Sequence, residues 1–303
     1  MPPQLDVEQD AVRVFGRGLR FPEGPVADRD GSLIVPEIEG AALVRVRPGG
    51  GLETVAEVGG GANGCAFGPD GALYVSNDGG YVFAEADGAR FPVGVPEDFT
   101  GGSIQRVDPV TGEVATLFTE SEGRRLGGLN DIVFDAAGGC YVADTTVGAL
   151  HYADPLAGTI RVAAAGLSGP NGAGLSPDGS MLYVSETYSG RLRVWRVAAP
   201  GELVELPDLH RHPGSGRRTY WDGLAVDGAG NVCVADLVGA GIVVVGADGA
   251  VRHRVTLPLA DPCVTNLCFG GPDGDTAYIC SGGRGIVYEV PWRWPGLRLN
   301  FQP

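Results

Sequence analysis

The chain has 303 residues, 44% hydrophobic and 19% charged, a balance that requires a globular core and excludes an extended disordered chain. A net charge of −15, with 22 basic residues that are all arginine, excludes a nucleic-acid binder, whose surface must neutralise phosphates. No apolar run is long enough to span a bilayer, and "MPPQLDVEQDAV" lacks the basic-then-apolar order of a signal peptide, so no membrane partner and a cytoplasmic location are expected.

In chain order, the first strand-like run is "AVRVFGRG", which precedes any repeat. Six similar segments follow: "FPEGPVADRDGSLIVPEI" from Phe21, "ANGCAFGPDGALYVSND" from Ala62, "LNDIVFDAAGGCYVADT" from Leu129, "PNGAGLSPDGSMLYVSET" from Pro170, "WDGLAVDGAGNVCVADL" from Trp221 and "TNLCFGGPDGDTAYICSG" from Thr265. Each begins near a polar residue, runs as a short apolar strand, turns at Asp-Gly or a similar pair, and resumes as a strand. Several end on an acid: Glu37, Asp78, Asp144, Glu186 and Asp236. The 51 glycines fall in such turns and in pairs, without a Gly-X-Y period.

The opening polar residues Glu23, Asn63, Asn130, Asn171, Asp222 and Asn266 are separated by 40, 67, 41, 51 and 44 residues. That period, with room for about four strands per repeat, is the spacing of a propeller blade. The expected fold is therefore all-β: a six-bladed β-propeller in which residues 1–303 form one domain, with "AVRVFGRG" as the outer strand of the last blade. The one long interval holds "GGYVFAEADGARFPVGVPEDFTGG", which contains Tyr81, Phe83, Phe91 and Phe99. It is read either as a loop folded over one mouth of the ring or as an elaborated outer hairpin.

In a propeller the innermost strands line the axis, so the six polar residues should converge there. All carry a carboxylate or carboxamide oxygen and none is His or Cys, which suits a hard divalent cation. Glu23 and Asp222 supply two negative charges to match it. Asn-Gly and Asp-Gly are also common turn formers, and a repeat can keep a turn without any chemistry. That reading weighs equally with the functional one for Asn63 and Asn266, and less for Glu23 and Asp222.

At these residues the chain resembles the family of gluconolactonase, senescence marker protein 30 and luciferin-regenerating enzyme. The carriers are "FPEGP", "NGCAFGPDGALYV", "LNDIVFD", "GPNGAGLSPDG" and "WDGLAVDGAGNVCVAD", in the family's order. The resemblance implies a six-bladed propeller with a central metal site, Glu23, Asn171 and Asp222 being the protein ligands. It also implies that Asn130 lies close to the metal and that Asp131 contacts substrate. The activity implied is lactone hydrolysis, with calcium foremost as the ion and zinc, manganese or iron as alternatives. One departure stands out: sugar-lactone members carry an Arg two residues before the Asn-Asp pair, where this chain has Gly128. Arg124 and Arg125 lie upstream and would have to reach back. With the aromatic excess segment, this tilts the expected substrate towards a less polar lactone or ester.

Asp222 is expected to be both ligand and general base, with Asp131 as the second candidate for that base. Asn130, Asp131, Asn63 and Tyr81 are the expected substrate contacts. His210 and His212, two apart in "HRHPGSGRR", form a weaker competing metal pair, and no G-x-S-x-G supports serine hydrolase chemistry. A phosphotriesterase-like hydrolase and a non-catalytic binding propeller with a structural metal are the alternatives. The six cysteines (65, 140, 233, 263, 268 and 280) show no CxxC spacing and read as buried reduced thiols.

Overall fold

The computed structural model describes residues 11–214 and 219–303. These form six four-stranded antiparallel sheets, the blades, arranged in sequence around an axis. Their innermost strands are Val26–Ala27, Ala62–Phe67, Leu129–Phe134, Pro170–Leu175, Trp221–Val226 and Val264–Gly270. The other three strands of each blade step outward, as in blade 5 with Val232–Asp236, Gly241–Val245 and Val251–Thr256. Blade 6 is closed by the N-terminal strand Arg13–Arg17, which pairs antiparallel with Ile286–Pro291 as the sequence suggested. Joining both ends of the chain in one sheet closes the ring and leaves no open blade edge at the seam.

Many of the second and third strands are short and rich in β-branched residues, such as VCVAD and GIVVV, so the pattern of the repeat becomes the pattern of the sheet. In the Pro-Asp-Gly turns, Gly71 and Gly179 adopt φ of +77° and +70°, where a side chain would be strained. Burial falls outward: the strand at Ala62–Phe67 is buried throughout, whereas Leu52–Glu57 is mostly exposed. The core is divided into six apolar clusters, each lying between neighbouring blades, such as Leu33, Val35 and Val287 between blades 1 and 6. Among the described residues no helix is long and apolar enough to cross a membrane.

The excess segment is the mouth-covering loop. It forms a hairpin, Val82–Ala86 with Ala89–Gly94, which leaves blade 2 and docks on blades 1 and 6. The Arg90 amide donates to the Gly283 carbonyl at 2.8 Å, and the Arg284 guanidinium donates to the Asp87 carbonyl at 2.7 Å. Arg90 also pairs with Glu39, and Phe83 packs against Phe21 with ring centroids 4.8 Å apart. At the far end of the axis the C-terminal tail crosses the floor. Asn300 donates to the Phe134 carbonyl at 3.0 Å and Gln302 to the Ala27 carbonyl at 3.1 Å. Leu297, Leu299 and Gln302 thereby close off an axial cavity of about 60 Å³ whose walls include Val26, Ile132 and Leu224.

Candidate active site

Five of the six polar residues sit where an innermost strand breaks register with its neighbour. The shifts fall between Ala62 and Gly64, Leu129 and Ile132, Pro170 and Ala173, Trp221 and Leu224, and Val264 and Leu267. In blade 1, Glu23 follows an isolated bridge between Pro22 and Glu37, just ahead of the paired strand. A bulge re-aims side chains locally, and here it recurs around the axis. The turn reading of Asn63 and Asn266 therefore gives way: both lie within strands.

The glycine after four of these residues is required by close approach. A Cβ on Gly24 would lie 2.7 Å from the Gly64 Cα, and one on Gly64 would lie 2.9 Å from the Asn130 carbonyl oxygen. A Cβ on Gly172 would strike the Leu224 backbone, and one on Gly223 the Asn266 amide. Without side chains there, adjacent blades can bring their polar residues together. Hydroxyls then tie blade to blade: Ser185 donates to the Asp222 carbonyl at 2.6 Å, Thr265 to the Pro22 carbonyl at 2.8 Å, and Ser76 to the Asn130 carbonyl. Sequence reasoning passed over these residues. The signal for Ser76 and Ser185 was the serine shortly before the terminal acid in "YVSND" and "YVSET".

Glu23, Asp131, Asn171, Asp222 and Asn266 form one connected cluster. Asn266 Nδ2 donates to Glu23 Oε2 at 2.9 Å and to Asp131 Oδ1 at 2.7 Å, holding two carboxyl groups with one amide. Glu23 Oε2 also accepts from the Gly24 amide at 2.6 Å, and Asp131 Oδ2 accepts from the Ala173 amide at 3.1 Å. Asn171 hydrogen-bonds the Asp222 side chain. Burial, aided by Asp131, pushes the Asp222 carboxyl up to about 8. Burial pushes Asp131 up to about 6, and burial together with Asp222 and Asp131 raises Glu23 well above the usual carboxylate range. The cause throughout is low polarisability around negative charge, compounded by like charges at close range.

Asn63 Nδ2 donates to Asp78 at 3.3 Å, while the Oδ1 atoms of Asn63, Asn130 and Asn171 are buried with no hydrogen-bond partner. Three orphaned acceptors beside buried carboxyls are an arrangement that a cation satisfies. Among the described residues no three His, Cys, Asp or Glu side chains group as a metal set, so any such site draws on the amide oxygens. Asp222 is partly exposed, whereas Glu23 and Asn171 are 2% and 5% exposed.

The remaining expected residues are placed as follows. Tyr81 stands at the mouth with its hydroxyl over Gly128. His210 and His212 do not converge: His210 Nδ1 pairs with the Gly249 carbonyl at 2.9 Å, and His212 Nε2 with Asp236 at 3.3 Å. The acids that end the second strands clamp loop amides, as Asp144 does for Gly127 at 2.8 Å and Asp236 for Val238 at 2.9 Å. Arg124 and Arg125 do not reach back. Both are exposed, and Arg125 donates to the Thr100 carbonyl at 3.4 Å. The six cysteines are free, and all but Cys263 are buried.

Fold and site together define a six-bladed propeller with an oxygen-lined axial cluster under a partly covered mouth. The family model described as SMP-30/gluconolactonase/LRE-like region matches residues 21–283, and the chain belongs to that family. A pentonolactonase of Haloferax volcanii is 29% identical, over 90% of this chain and 85% of that protein. A gluconolactonase of Zymomonas mobilis is 25% identical, over 94% of this chain and 83% of that protein. A regucalcin of Agrobacterium tumefaciens, described as calcium-binding, has the same fold, with a TM-score of 0.75 at 18% identity over 97% of each chain.

Proposed function

We propose that residues 1–303 act as one domain, a divalent-metal-dependent lactonase that opens its substrate with an activated water. The observation that carries this reading is the set of orphaned amide oxygens beside the buried carboxyls of Glu23 and Asp222. Gluconolactonase and pentonolactonase relatives support the reaction class, and the regucalcin likeness supports calcium as the first ion to test. Glu23, Asn171 and Asp222 would hold the ion, with Asn130 and Asn63 turned to the same space. When bound, such an ion polarises a carbonyl and acidifies a water.

The chain's own residues complete the chemistry. Asp222, which a bound cation would keep ionised, accepts a proton from the water that attacks the lactone carbonyl. As the ring C–O bond breaks, the same carboxyl returns that proton to the departing alkoxide oxygen. Asp131, fixed by Asn266 and the Ala173 amide, orients the substrate hydroxyl or ring oxygen beside it. The apolar, tail-plugged floor keeps the attack to one face.

The test combines metal analysis with kinetics on the purified protein. The expected result is one divalent ion per chain and lactone hydrolysis that is abolished by chelation and restored by calcium or manganese. Asp222→Asn, with metal occupancy verified, should lower kcat by about 10²-fold or more. Near-normal turnover in that variant removes Asp222 from the base role. A bound ion without hydrolysis of lactones, esters or phosphotriesters leaves the metal structural.

A further inference from the structure

Above Asn130 and Asp131 lie side chains that the hydrolytic step does not use. Tyr81 follows the second strand of blade 2, and its hydroxyl is 3.4 Å from where a side chain on Gly128 would begin. The Thr146 hydroxyl lies 2.7 Å from the same point. Tyr188 comes from the corresponding loop of blade 4. Its ring rests against Gly169 and it is 53% exposed, while Val147 of blade 3, between them, is 52% exposed. Exposed aromatic and β-branched side chains ringing a polar floor are a recognised sign of ligand contact.

Charge points the same way. Burial, with Asp78 and Tyr188 nearby, raises the Tyr81 phenol further above its usual range, so it stays an uncharged donor. No described arginine is among the groups that shift Glu23, Asp78, Asp131 or Asp222. An anionic substituent would meet this acidic ring without a protein cation to hold it. A polyol would leave most of its hydroxyls facing two phenol rings and a valine.

We propose that Tyr81 and Tyr188 form the substituent subsite, and that it takes lactones bearing an uncharged aryl or alkyl group in preference to polyhydroxylated sugar lactones. The proposal rests on the lactonase reading and names its substrate class. Val147, half exposed between the two rings, lines the subsite.

The test compares a phenyl-substituted γ-butyrolactone with glucono-δ-lactone in the metal-loaded wild type, Tyr81→Ala and Tyr188→Ala. The wild type should favour the phenyl lactone in kcat/KM by about tenfold, the worth of a partly buried ring. Each variant should cut that ratio at least about fivefold, through KM more than kcat, since half the ring contact is lost. Preference for gluconolactone, or an equal loss on both substrates, overturns the proposal. Affinities of the matching lactams are measured alongside by calorimetry. If the wild type opens neither lactone, the lactonase reading fails by itself. The lactams then decide the subsite: tighter phenyl-lactam binding that both variants weaken upholds it, and equal affinities refute it.

Discussion

In the metal-free protein the buried carboxyls of Asp222 and Glu23 should make stability fall as pH rises above neutrality. Asp222 is pushed to about 8 in the fold, from a usual value near 3.8. Between those values the native state holds a proton that the unfolded chain has released. Stability therefore falls as pH rises, by about 1.4 kcal/mol per unit for each such group. From pH 6.5 to 8 this amounts to about 2 kcal/mol from Asp222, or a Tm lower by about 3 °C at this chain length. Glu23, also raised, adds in the same direction. Asp131 at about 6 has mostly ionised before the window opens, and Asp78 at about 7 contributes to its lower half. The lowered His212 acts with the opposite sign, mostly below its unfolded value of 6.5, and offsets only about 0.4 kcal/mol at the lower edge of the window. Thermal melts in EDTA at half-unit steps should show the wild type losing stability and Asp222→Asn losing distinctly less. Calcium at a hundredfold its Kd should restore about 2.7 kcal/mol at pH 8. A wild-type Tm that is flat or rising across this window, or an Asp222→Asn curve parallel to it, refutes the electrostatic argument.

Three further outcomes are expected. Glu23→Gln and Asn171→Ala should each weaken divalent-ion affinity by at least about tenfold in calorimetry, each removing one oxygen or charge from the cluster; unchanged affinity in both would mean that the ligand set is wrong. Trp221→Ala should cost about 3–5 kcal/mol in denaturant melts, because the ring is fully buried, donates to the Gly190 carbonyl at 2.8 Å and packs against His212 at 4.6 Å. Truncation after Pro295 should lower stability by about 2–3 kcal/mol, through the loss of the Asn300 and Gln302 hydrogen bonds and the leucines that close the floor; an unaltered melt would show that the tail carries no weight.

The six-fold repeat was legible because a propeller imposes the same local demands on every blade. Spacing alone marked Glu23, Asn63, Asn130, Asn171, Asp222 and Asn266 as equivalent, and the terminal strand at Arg13–Arg17 followed from the need to close the ring. What spacing could not carry was the division of labour among equivalents. Asn266 is a clamp between Glu23 and Asp131, whereas Asn171 binds Asp222 and keeps an unpaired oxygen. The residues have the same chemistry; bulge geometry and the neighbouring blade decide which atom faces inward. The glycines misled for a related reason, since Gly64, Gly172 and Gly223 serve close packing and not turns. The hairpin over the mouth and the tail under the floor make contacts 50 or more residues away, such as Arg90 with Glu39 and Gln302 with Ala27, which no local pattern records.

The same arrangement accounts for both the site's instability and its capacity to bind. A propeller axis collects side chains from far apart in the chain and holds them with backbone that has little freedom to relax. Three carboxyls are thereby kept closer together, and drier, than free side chains would accept. The fold offsets part of that cost with amides, through Asn266 and Asn171, and protons supply the rest at low pH. A divalent cation competes for the same negative charge, so its apparent affinity should rise as those protons leave, most steeply as Asp222 titrates near 8. The cluster that weakens the empty ring above neutral pH is thus the source of its grip on a cation. A metal affinity independent of pH between 6.5 and 8.5 would separate the two properties and break the argument at its centre.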